Sequence, residues 1–301
     1  MRERFEALGT TWWIEVFDTI DTSTAAVVMQ DVIEYAASYE AAYSRFKPDS
    51  LLSTLNRERI LAAPPAEFVE LLHYGQALYK QTDGVFNILT GHILEARGYD
   101  AAYSFTPTSD VDSLQPGNPE TDLHITPEYI TLTRGNLDLG GYGKGYLIDL
   151  LAARLQTEHG VQFFLINGGG DMYATSDQGA PIAIVLEHPT EPGMKVGETT
   201  LKHQGFAASA PFTRSWPTAV GAQNHLVGTS TSRLAQHYVT ASTAAAADAT
   251  ATTSLLMTDA QLGVYLDRTA AGLAVFDPAT SELSGNRVFF ASPPDADREM
   301  K

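Results

Sequence analysis

Residues 137–149 read Leu-Asp-Leu-Gly-Gly-Tyr-Gly-Lys-Gly-Tyr-Leu-Ile-Asp. Within about a dozen positions the chain places an apolar strand end, four glycines, one cation and a helix start. Glycine lets a backbone approach a ligand closely, and the first turn of a helix offers unpaired N–H groups to an anion. Lys144 is the only basic residue between Arg134 and Arg154. The stretch is either a phosphate or pyrophosphate platform or a tight strand-to-helix turn whose lysine faces solvent. Two familiar phosphate loops are excluded. In a Walker loop Asp138 would have to be glycine and Gly145 Ser or Thr, and the glycines at 141, 143 and 145 follow G-x-G-x-G rather than the G-x-G-x-x-G of a dinucleotide fold.

The remaining composition narrows the partners. With 36 acidic against 19 basic residues the formal charge is −17, which disfavours nucleic acid or an anionic membrane surface as the main partner. A phosphate ligand must therefore be held by local charges or by a bound cation. The absence of cysteine removes thiol nucleophiles, zinc-thiolate sites and disulfides. No apolar run is long enough to span a bilayer, and the N-terminus lacks the apolar stretch of a signal peptide. The chain as given is expected to be cytoplasmic, with a mature, processed extracytoplasmic form left open.

Hydrophobic spacing predicts a strand at 10–17, helices at 24–43, 67–81 and 88–96, and strands at 123–125 and 129–133. Further along it predicts a helix at 144–159 and strands at 163–167, 182–186, 198–201, 205–208 and 238–241. Helices at 244–257 and 259–267 and strands at 273–276 and 288–290 complete the reading. The polar, Pro- and Gly-containing stretch 106–121 is the best linker candidate. Strands and helices mix without regular βαβ alternation, so the expected class is α+β, with mixed or antiparallel sheets packed against helices.

A second constellation lies in 242–255, a run of small residues holding a single carboxylate. Asp248 and Thr252 stand four apart and share one helix face. They offer hard oxygens suited to Mg²⁺, or Asp248 only complements the helix dipole. His225 is either a general base or a structural histidine. Asp171 is more simply a turn residue than a ligand. Trp12, Trp13 and Trp216 are core or pocket wall.

Together these pieces resemble the ApbE-type flavin transferases, the FAD:protein FMN transferases. The resemblance runs through Leu8-Gly9-Thr10, Ser44-Arg45-Phe46 with Ser50 and Leu55-Asn56, and Thr82-Asp83-Gly84-Val85-Phe86-Asn87. It continues through 137–149, 166–173, Ala208-Ser209 with Arg214, His225 and 247–252, covering nearly the whole chain. It implies one ApbE-like, T-fold-like domain over 1–301, with sub-lobes of about 1–105 and 122–292 around the loop 106–121 and a ligand cleft between the halves.

By position, the resemblance implies Mg²⁺ ligation by Asp248, Thr252 and the Gly141 carbonyl. It implies FAD contacts at Leu8, Phe46, Val85, Phe86, Asn87, Asp138, Lys144 and Leu226, and a catalytic role for His225 and Asp248. The implied activity is Mg²⁺-dependent transfer of FMN from FAD to a Thr or Ser hydroxyl of an acceptor protein, with release of AMP. Hydrolysis of FAD to FMN and AMP, or flavin binding without turnover, are the alternatives. The chain departs from the family at Asn87, usually Asp, at Leu8, commonly Met, and after His225, where Leu226-Val227-Gly228 replaces an Asp-Pro turn.

Overall fold

Leu8 and Gly9 turn the chain back on itself with φ of 50° and 70°, the paired left-handed residues of a two-residue hairpin. The computed structural model describes all residues except 109–110, 177–179, 212–214, 219–220, 225, 229–234 and 292–301. The hairpin joins β1 (Arg2–Ala7) to β2 (Thr10–Val16), and α1 (Thr22–Tyr43), α2 (Leu51–Glu58), β3 (Ile60–Ala62), α3 (Ala66–Gln81) and α4 (Gly91–Ala96) follow. After a 3₁₀ turn at Val111–Ser113 come β4 (Leu123–Ile125), β5 (Tyr129–Leu132), α5 (Gly143–Thr157), β6 (Phe164–Gly168) and β7 (Asp171–Thr175). Next are β8 (Ile182–Glu187), β9 (Lys195–Leu201), β10 (Gln204–Ser209), β11 (Ser215–Thr218), β12 (Gly221–Asn224) and β13 (Gln236–Ala241). The chain closes with α6 (Ala244–Ser254), α7 (Asp259–Thr269), β14 (Gly272–Asp277), β15 (Glu282–Gly285) and α8 (Arg287–Phe290).

An eight-stranded sheet, ordered β1-β2-β6-β7-β10-β13-β14-β15, organises the molecule, and every neighbouring pair in it is antiparallel. Side chains alternate between its faces as the pleat requires. Trp12, Ile14, Phe164 and Ile166 point into the core shared with α1, α3 and α5. Leu165, Phe206, Tyr238, Ala274 and Phe276 point to the other side, where Ile184, Leu186 and Leu201 of the β8–β9 hairpin cover them. Farther along the helix face, Ala207, Val239 and Leu273 pack against Ala247 and Ala251 of α6 and Leu262 and Tyr265 of α7. The α+β expectation therefore holds, with the helices on one face and a hairpin on the other.

The alanines of α6 have a packing reason. Ala247 and Ala251 fit against Ala207 and Val239 of the sheet, while a methyl group at Gly145 would run into the Ala244 carbonyl, so glycine lets α5 approach the start of α6. That closeness brings the start of α5 against Asp248.

Several local expectations need correction. The stretch 288–290, expected as a strand, lies in the short helix α8. Asn286 accepts from Phe289 N at 3.0 Å and ties the turn to β14 through Leu273 N at 3.1 Å. The helix expected from 88 begins at Gly91, because the Ile88 carbonyl accepts from Asp138 N at 2.8 Å and the Asn87 side chain from Leu89 N at 2.8 Å. Strands β1, β3, β11, β12 and β15 are not among the expected elements, nor is α2, a short one-sided helix capped by Ser50 that buries Leu52 and Leu55. Among the described residues no helix is long and apolar enough to cross a membrane.

Candidate active site

A cavity of about 760 Å³ opens between the N-terminal segments and the glycine-lysine platform, within the size range of small-molecule sites. Leu8, the end of α1, Arg45-Phe46-Lys47, Phe86-Asn87 and the loop carrying Tyr99, Tyr103 and Phe105 line one side. Residues 138–141, Gly143, Lys144, Trp216, Leu226, Thr252 and Leu256 complete the lining.

Each wall is held by backbone capture. Glu40 accepts from Leu8 N at 2.8 Å, fixing the hairpin turn whose leucine lines the cavity. Asn56 bonds both backbone groups of Leu137, accepting at 2.7 Å and donating at 3.0 Å, as a neighbouring strand would. The Thr82 hydroxyl accepts from Phe86 N at 2.9 Å. Asn87 accepts from Leu89 N and donates to the Gly117 carbonyl at 2.9 Å. A carboxylate could make the first of these bonds but not the second, which gives a physical reason for asparagine here. Val85 lies behind the wall, packed on the Leu226–Leu255–Leu256 cluster.

The platform turns into α5 with Tyr142 at the N-cap and no side-chain cap of its own. Asp248 supplies one from α6, accepting from Gly145 N at 3.0 Å and from Lys144 Nζ at 3.2 Å. Lys144 also donates to Asp171. The three side chains are only 14%, 4% and 5% exposed, respectively for Lys144, Asp248 and Asp171. Lys144 therefore does not face open solvent, and Asp171 is a β7 residue paired with Gly168 rather than a turn residue. Thr252, one turn beyond Asp248, donates toward the Gly141 carbonyl at 3.5 Å. A Cβ on Gly141 would lie 2.9 Å from the Phe86 ring and 3.4 Å from Thr252 Cγ2, so glycine keeps this carbonyl close to Thr252.

Asp149, one turn beyond Gly145 on the same face of α5, caps α6 by accepting from Ala244 N at 2.8 Å and Ala245 N at 2.9 Å. Burial pushes its carboxyl up to about 6, outweighing the amide hydrogen bonds that favour the charged form. Deeper in, Tyr39 donates to the Gly143 carbonyl at 3.2 Å and is held protonated by burial.

Part of the cavity lining is aromatic. Phe46 stacks on Tyr103 with centroids 5.2 Å apart, and Tyr99 stacks on Trp216 at 5.5 Å. Arg45 lies over Phe46 and donates to Asp138, whose other oxygen accepts from Gly140 N at 2.8 Å. Sequence reasoning named Phe46 and Asp138 but gave no role to Glu40, Arg45, Tyr99, Tyr103 or Phe105. The cluster Tyr99-x₃-Tyr103-x-Phe105 was a usable signal, hidden beside a stretch read as linker. Of the three tryptophans, Trp12 is fully buried in the core and Trp216 lines the cavity. His225 and Arg214 lie outside the described residues.

The α+β fold places a charged corner at a helix start beside an aromatic cluster in and around one cleft. The sequence profile of the ApbE family matches residues 8–276, and the chain belongs to that family. An FAD:protein FMN transferase from Rhodobacter capsulatus is 33% identical over 143 residues, 44% of this chain and 26% of that protein. The match thus spans about a quarter of that relative's length. The fold is similar to the crystal structure of the ApbE protein of Thermotoga maritima, with a TM-score of 0.80 at 17% identity over 97% of this chain and 99% of that one. It is also similar to the apo flavinyl transferase ApbE of Pseudomonas stutzeri, with a TM-score of 0.76 at 18% identity over 98% and 97% of the two chains. The flavin transferase ApbE of Vibrio cholerae gives a TM-score of 0.77 at 16% identity over 96% and 98%.

Proposed function

We propose that this chain transfers FMN from FAD to a Thr or Ser hydroxyl of an acceptor protein. The acceptor oxygen bonds to the phosphorus of the FMN half, the bond from that phosphorus to the bridging oxygen breaks, and AMP leaves. The observation that carries this reading is that Lys144, Thr252 and the aromatic residues Phe46, Tyr99, Tyr103 and Trp216 line one cavity, with Asp248 buried directly behind Lys144. The curated relative's name and the family membership support the same reading.

The donor set fits a divalent ion such as Mg²⁺. No group of three or more His, Cys, Asp or Glu side chains able to hold a metal occurs among the described residues. An ion here would be held by the Asp248 carboxylate with two neutral oxygens, the Thr252 hydroxyl and the Gly141 carbonyl, all hard donors. Within the Lys144–Asp171–Asp248 trio two carboxylates face one ammonium, so a cation meets an electrostatic demand that an anionic pyrophosphate alone would not. Bound there, Mg²⁺ would neutralise pyrophosphate charge, the main requirement of phosphoryl transfer.

The chain's own residues do the positioning. Lys144 lies at the α5 start, whose amide dipoles favour a phosphate, and a bound cation would offset the excess carboxylate charge beside it. Leu8, Phe46, Phe86 and Leu226 exclude water along the cavity. The acceptor hydroxyl gives up its proton to His225, a role that rests on family resemblance.

Incubation with FAD, Mg²⁺ and a candidate acceptor flavoprotein tests the reading. Flavin covalently linked to the acceptor, with equimolar AMP, is expected. Free FMN with AMP would mean hydrolysis, and bound but intact FAD a binding protein.

A further inference from the structure

Arg45 is buried, fixed in place and only partly used. Its side chain is 4% exposed. Nε donates to Asp138, while Nη2 is shielded from solvent and has no hydrogen-bond partner among the described residues. Leaving such a donor unmatched is costly, more so on a charged group. The guanidinium is also held in plane. Its Cζ lies 4.1 Å from the Phe46 ring centroid and 4.9 Å from that of Tyr99.

The surroundings indicate what would satisfy it. Arg45, Phe46, Tyr99, Tyr103 and Trp216 all line the cavity. Phe46 and Tyr103 are nearly parallel, at 8°, as are Tyr99 and Trp216, at 19°. Tyr103 and Phe105 hold φ of 50° and 49°, left-handed backbone that is unfavourable for bulky side chains and persists where a site demands it. Each pair is already stacked face to face, so a planar ligand would lie against the outer surface of this aromatic wall rather than between its members. A phosphate suits this wall poorly, because the Asp138 carboxylate already balances the Arg45 charge and would repel an anion. What Arg45 still offers is a directed N–H.

We propose that Arg45 is a specificity-determining residue whose Nη2 donates to a carbonyl oxygen on the pyrimidine edge of an isoalloxazine ring lying against this aromatic wall. The inference rests on the flavin-transfer reading above and adds the part of the substrate that this wall recognises.

The test titrates the wild type, Arg45→Lys and Arg45→Met with FAD, with riboflavin, which has the ring and no phosphate, and with ADP, which has phosphates and no ring. Both substitutions should weaken FAD and riboflavin by about 10–100-fold, the range for one hydrogen bond to a charged group. ADP affinity should stay the same, and the visible absorption bands of bound riboflavin should differ between wild type and Arg45→Met. Unchanged riboflavin affinity and spectrum in a folded variant would overturn the proposal. So would equal losses for FAD and ADP with none for riboflavin, the signature of phosphate recognition. A second measurement needs no variant. Exchanging the ring carbonyl oxygens for sulfur, a weaker acceptor, should lower affinity for the wild type, and equal affinity for both thio-flavins would overturn the assignment. A wild-type protein that binds neither riboflavin nor FAD would overturn the flavin reading itself, whereas binding that ignores Arg45 overturns only this inference.

Discussion

Asp149 and Asp248 cap each other's helices. Asp149, on α5, accepts from the Ala244 and Ala245 amides at the start of α6, and Asp248, on α6, accepts from the Gly145 amide at the start of α5. The exchange locks the two helices at the point where Lys144 and Thr252 face the cavity. The carboxylate assigned to metal binding therefore also holds the fold.

That double use separates two substitutions at Asp248. Asp248→Ala leaves the Gly145 amide without its acceptor and should cost about 1–3 kcal/mol of stability as well as turnover. Asp248→Asn keeps an acceptor oxygen and should stay within about 1 kcal/mol of wild type while turnover is lost. Urea denaturation alongside AMP release distinguishes them. An Asn variant with wild-type AMP release would remove Asp248 from the chemistry.

Asp149 should give stability a specific pH dependence. Its folded carboxyl lies at about 6, above the ordinary value of 3.8, so the folded state holds the proton more tightly than the unfolded state. Stability from this group is present below the unfolded value and is lost as pH rises toward 6, after which it is constant. The loss amounts to about 2–3 kcal/mol. Asp149→Asn should remove that slope. Parallel wild-type and Asn stability curves from pH 4 to 6.5 would contradict the assignment.

Lys144 is the cation paired with two buried carboxylates, so its removal should be felt in the fold. Lys144→Met should cost about 3–5 kcal/mol, the range for breaking a buried ion pair, and should weaken FAD binding. Adding Asp171→Asn should recover part of the stability but not the FAD affinity. Additive losses in the double-mutant cycle would show that the two side chains act independently.

Gly145→Ala sets helix propensity against packing. Alanine favours the helix by about 1 kcal/mol, but its methyl meets the Ala244 carbonyl. Overpacking of this kind costs about 1–3 kcal/mol, and the obstacle is backbone that cannot rotate away. A lower melting temperature with reduced turnover is expected. An unchanged or higher melting temperature would mean that the helices separate freely here.

The elements that the sequence disclosed are those with long apolar-rich runs or distinctive spacing, whereas the one-sided α2, eight residues long, was passed over. Thr10–Val16, α1 and α5 follow from apolar patterning, and the Lys144 and Asp248–Thr252 corners from the placing of one charge among small residues. Strand β1 alternates mostly exposed side chains, and β3 is three residues long, so neither carries a readable burial signal. The 288–290 stretch misled because Val-Phe-Phe is a run of β-favouring residues, whereas the Asn286 cap winds it into a single turn that buries only Phe289. At the site, Glu40 and Arg45 escaped notice because their roles depend on partners distant in sequence, Leu8 and Asp138. Asp171 looked like a turn residue because its ion pair with Lys144 exists only once β7 lies beside α5.

The central claim is that one cavity holds FAD with its pyrophosphate at the Lys144–Asp248–Thr252 corner and passes the FMN half onward. The most direct measurement follows AMP release and acceptor mass together, for wild type and Asp248→Asn, with FAD, a candidate acceptor flavoprotein, and Mg²⁺ either present or chelated. The account predicts AMP and acceptor-bound flavin in equal amounts with wild type and Mg²⁺, and neither with the Asn variant or chelator. AMP release and flavin attachment that proceed undiminished in a folded Asp248→Asn protein would contradict it.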